Sequence, residues 1–89
     1  MRTAAKGRRA MPEEWLKCEV LPGLFSNEAI VVVRDLAGHA HRYFVPLDAV
    51  STDRVRVRVS NGGDLLWATI PTAQPSSVVA VKQEDLVAA

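Results

Sequence analysis

The chain has 89 residues, a formal net charge of +1 and a single cysteine. That length suits one domain with one core and leaves little room for a deep catalytic cleft. One cysteine excludes an internal disulfide framework and a cysteine-rich zinc site, and a hydrophobic share of 48% excludes wholesale disorder.

Charge is unevenly spread. Residues 1–10 hold four cations and no anion, giving +4, whereas residues 11–89 hold seven cations and ten anions, giving −3. The body is therefore mildly acidic, which argues against a broad basic surface for duplex nucleic acid. No apolar run approaches the ~20 residues of a membrane helix, and none follows the basic start as in a signal peptide. A cytoplasmic protein with no membrane partner is expected, and the richness in Arg and Ala suits a bacterium with a GC-rich genome.

Residues 1–12 lack hydrophobic periodicity and read as a disordered basic arm, with Lys6, Arg8 and Arg9 as candidate contacts for an anionic partner. Residues 13–89 read as one domain. A first strand is predicted over 15–21, then a turn at Pro22-Gly23, with Leu24 and Phe25 folded back onto the core. Residues 28–34 (EAIVVVR) are too short and too β-branched for a helix and predict a strand.

The segment Asp35 to His39 fits a three-residue hairpin loop with Gly38 in the left-handed region. The returning strand, 39–45, stops at Pro46. This register sets Ile30 opposite Phe44, Val31 opposite Tyr43, Val32 opposite Arg42 and Val33 opposite His41. Both faces of the hairpin are then apolar. Either it is covered on both sides, or one face meets a partner.

A polar bridge over 47–53 leads to RVRVRV (54–59), whose strict alternation marks a half-buried strand. If Gly62 and Gly63 form the loop, Val59 opposes Leu66, Val57 opposes Ala68 and Val55 opposes Ile70. Residues 71–77 read as a loop, 77–82 as a last strand and 83–87 as a single helical or 3₁₀ turn. The thirteen valines reinforce the β reading. The expected fold is all-β: a five- to six-stranded antiparallel barrel, SH3-like, with an OB-like barrel as the alternative.

Under that register, Arg54, Arg56 and Arg58 share the outer face of the second hairpin with Leu65 and Trp67. An aromatic ring among arginines suits stacking on a base with phosphate held alongside, or an acidic peptide. A surface cation–π pair of Arg58 with Trp67 is the plainer reading. His39 and His41 offer two ligands on one strand face, but the spacing recruits no third from Cys18, Asp35 or Asp48. No metal or cofactor is expected. Cys18 reads as a small buried hydrophobe. There is no nucleophile elbow, phosphate loop or carboxylate pair, so no enzyme is expected. The sequence points to a non-catalytic interaction module that binds a protein or peptide or pairs with itself. Single-stranded nucleic acid, RNA above all, is the alternative partner.

Overall fold

A computed structural model describes residues 13–72 and 77–88. The basic arm, with Lys6, Arg8 and Arg9, lies outside the described residues, as does the middle of the 71–77 loop. The described residues form nine strands in chain order: β1 (Glu13–Lys17), β2 (Glu19–Pro22), β3 (Glu28–Arg34), β4 (Ala40–Pro46), β5 (Val50–Ser51), β6 (Arg54–Gly62), β7 (Leu65–Ile70), β8 (Ser77–Val81) and β9 (Leu86–Ala88). The fold is all-β and its sheets are antiparallel.

The strands do not close into the expected barrel, SH3-like or OB-like. They form two sheets, one ordered β8-β7-β6-β1-β9 with β5 also on β6, the other ordered β2-β3-β4. The break falls at Cys18. The expected single strand over 15–21 is two strands in different sheets, and the Cys18 amide donates to the Asp53 carbonyl at 2.9 Å as the chain crosses. Among the described residues β2, once it has left for the second sheet, pairs only with β3, so β2 and β4 are sheet edges there instead of sealing a barrel.

The inner faces of the two sheets supply one core. From β3 and β4 come Ala29, Val31, Val33 and Val45; from the larger sheet come Leu16, Val55, Val57, Val59, Ala68, Ile70, Val79 and Val81. The alternation in β6 explains its share, since every second residue of RVRVRV points inward. A further link joins the sheets where the Leu36 amide, at the tip of the first hairpin, donates to the Ala80 carbonyl on β8 at 2.9 Å.

The first hairpin forms as the sequence predicts. Ile30 pairs with Phe44, Val31 with Tyr43, Val32 with Arg42 and Val33 with His41, and Gly38 takes a φ of 91°. The second hairpin differs. Val59 pairs with Ala68, Ser60 with Trp67 and Gly62 with Leu65, so the loop is Gly63-Asp64 and the register is shifted by two. A shift of two keeps every side chain on its expected face. Gly63 supplies the positive φ, at 63°. Gly62 stays in the strand, where the Trp67 indole covers it so closely that a Cβ would come within 2.9 Å of Nε1.

The segment 83–87 holds its predicted 3₁₀ turn at Gln83–Asp85, then continues into β9 against β1. Leu24 and Phe25 do not fold onto the core: they stand 76% and 68% exposed at the β2–β3 turn. That turn is held by the Leu24 amide, which donates to Glu28 Oε2 at 3.0 Å and leaves both apolar side chains outside.

Candidate interaction surfaces

Two surfaces carry the residues singled out in the sequence. The first is the outer face of the larger sheet. Arg54, Arg56 and Arg58 lie on it, and β1 sets Lys17, Trp15 and Glu13 directly beside them in that order. The Arg56 guanidinium lies 5.7 Å from the Trp15 ring centre, a cation–π arrangement. Trp15 is thus the aromatic neighbour of the arginines, and the sequence reading missed it. Leu65 and Trp67 share the face but sit at the far end of the β6–β7 hairpin, beside Gly62 and Ser60.

The arginines have local partners. Arg54 Nε donates to Asp53 Oδ1 at 3.2 Å, and Arg56 Nη2 donates to the Asp48 carbonyl at 3.2 Å. A cavity of about 400 Å³ opens beside β6 in the gap between β5 and β7, with Glu13 and Asp48 opposing Arg56 and Arg58 on its walls. Two carboxylates and two guanidinium groups therefore line it.

The tip of the first hairpin gathers the two histidines around Asp35. His41 Nε2 lies 2.8 Å from Asp35 Oδ2 and His39 Nδ1 lies 3.8 Å from the same oxygen, while Asp35 Oδ1 accepts from the amides of Ala37 and His39 at 2.9 Å each. The His41 side chain first, then the His39 and Ala37 amides, hold the Asp35 carboxyl down at about 2. Among the described residues no group of three or more His, Cys, Asp and Glu is placed to hold a metal ion. Burial first, and then Asp53, push the Cys18 thiol up to about 12, so it is neutral and poorly nucleophilic at ordinary pH.

The second surface is the outer face of the three-stranded sheet. The core-facing side of β3 is buried, and the opposite side presents Ile30 and Val32, flanked by Leu21 on β2 and Phe44 on β4. Leu21, Ile30 and Val32 are half-buried and Phe44 is 46% exposed. At one end of this face Val32 and Arg34 line a groove together with Glu19, Lys17, Lys82 and Asp85, while Phe44 stands at the other side of the sheet. Of the two apolar faces of the first hairpin, one makes the core and the other carries the exposed Phe44. Among the described residues no helix is long and apolar enough to cross a membrane.

No family model matches the chain, and no solved structure matches it. It is similar to an arginine repressor of Chlorobium limicola (strain DSM 245 / NBRC 103803 / 6330), with 30% identity over 87 residues. The match covers 89% of this chain, which spans 58% of the length of that repressor.

Proposed function

We propose that the chain is a non-catalytic interaction module that pairs with a second copy of itself through the outer face of the β2–β3–β4 sheet. The observation that carries this reading is the apolar row Leu21, Ile30 and Phe44, backed by Val32, on a sheet whose edge strands β2 and β4 have no strand partner beyond β3 among the described residues. An open apolar sheet face is the usual mark of an association surface. Likeness to an arginine repressor is compatible with an interaction module. The nucleic-acid alternative draws less support. Arg54 and Arg56 are engaged with Asp53 and Asp48, and Glu13 stands beside Arg58.

The test is sedimentation of the full chain beside Phe44→Lys. The wild type is expected above its monomer mass of 9.7 kDa, with the mass rising with concentration. Phe44→Lys replaces the most exposed member of the apolar row with a charge and should weaken association by about 2 kcal/mol or more, leaving monomer. Equal masses for the two chains would overturn the reading.

A further inference from the structure

The outer face of the three-stranded sheet has a charge order along its central strand. The outward residues of β3 are Glu28, Ile30, Val32 and Arg34, an acid at one end, a base at the other and two apolar side chains between. Six positions of extended strand separate Glu28 from Arg34, about 20 Å. The two cannot meet within one chain. Glu28 uses one oxygen to accept from the Leu24 amide, and Arg34 uses Nη1 to donate to the Gly38 carbonyl at 3.0 Å. Each group keeps capacity for a further partner.

Resting on the self-pairing reading above, the geometry points to a two-fold homodimer in which two such faces stack with their β3 strands antiparallel. The axis lies between the sheets, across the strands, at the level of Val31. It sets Glu28 over Arg34 of the second copy, Ile30 over Val32 of the second copy and Phe44 over Arg42 of the second copy, each twice. Sheets stacked about 10 Å apart leave room for Glu and Arg side chains to meet between them.

The competing axis runs parallel to β3 and stacks β2 on the second copy's β4. It gains a contact between Glu19 and the second copy's Arg42, but it sets Glu28 over Glu28 and Arg34 over Arg34 on the central strand. Like charges directly opposed are destabilising. The crossed arrangement opposes no like charges and is self-complementary, as a two-fold interface must be. In it the charged ends fix orientation and the apolar middle supplies affinity.

The test uses charge reversals in the full chain, Glu28→Arg and Arg34→Glu, read by sedimentation. Each variant alone sets like charges over one another and should raise the dissociation constant by about tenfold. An equimolar mixture of the two variants restores both attractions and should return the affinity to within about threefold of wild type. Reversals without effect, or a mixture no tighter than its components, would overturn the axis. If Phe44→Lys is still monomeric in that case, the surface stands and only the orientation fails. Rescue by mixing Glu19→Arg with Arg42→Glu instead would establish the competing axis. Because Glu28 also braces the β2–β3 turn, a second measurement keeps the native acid. In Arg34→Lys, a carbodiimide should join the Glu28 carboxylate to the introduced lysine of the other copy, giving a covalent dimer. A covalent dimer joined only through Glu19 would overturn the proposal.

Discussion

Asp35 holds the tip of the first hairpin by accepting from two backbone amides and engaging the ring of His41. These contacts favour its ionised form, which is why its carboxyl sits at about 2, below the ordinary 3.8 of an aspartate. The sign follows from linkage. A carboxyl depressed on folding contributes stability that is complete above its unfolded value and is lost as pH falls through its folded value. The window therefore lies between about pH 4 and pH 2. Asp35→Asn keeps an acceptor but cannot titrate. Its stability, measured by denaturant unfolding at stepped pH, should fall less steeply than that of wild type across this window. Parallel curves would show that Asp35 has no such role. The same carboxylate engages both histidines through its Oδ2, so it gives His39 and His41 a structural task at the hairpin tip.

At the scale of the element, β1 and its break at Cys18 decide the architecture. Leu16 is 1% exposed and lies in the core between the sheets, one residue before the exposed Lys17 and two before the crossing. Leu16→Ala should cost about 2–5 kcal/mol, a large part of the roughly 5–15 kcal/mol that stabilises a small domain. Urea unfolding should show a clearly lower midpoint, and an unchanged midpoint would mean that β1 does not anchor the core. The sequence shows why some elements were legible and others not. In the first hairpin Asp35 and Gly38 fix a single loop, so its register could be read pair by pair. In the second, consecutive glycines leave the loop free to start at Gly62 or Gly63. Periodicity cannot choose, because both options keep the same faces. In the register that forms, the Trp67 indole is seated on Gly62, a contact between residues whose spacing carries no signal. The break at Cys18 was hidden for a similar reason. WLKCEVL has unbroken strand character, and only the bond from its amide to Asp53 divides it. Reading it as one strand from Trp15 also concealed Glu13, Trp15 and Lys17 as a row beside the arginines.

At the scale of the molecule, two sheets share one core and differ in their outer faces. The larger sheet turns outward a mixed surface of arginines, carboxylates and two tryptophans, several of them already paired. The smaller sheet turns outward an apolar row, with Leu24, Phe25 and Leu47 also exposed nearby in sequence. A chain of this size gains little from leaving such a row in water, and covering it with a second copy would extend the two-layer packing to a further pair of layers. The apolar character of this face was visible in EAIVVVR and its return strand. Which side would be covered was not, because alternation distinguishes two faces without saying which one meets the core.

The most direct measurement is an isotope-filtered nuclear Overhauser experiment on a mixture of labelled and unlabelled chains, which reports only contacts between copies. Contacts from the Ile30 methyls of one copy to the Val32 methyls of the other are the predicted result. Contacts between copies that arise instead at Val78 on β8 or at Trp15, or none at all, would contradict association through the three-stranded sheet.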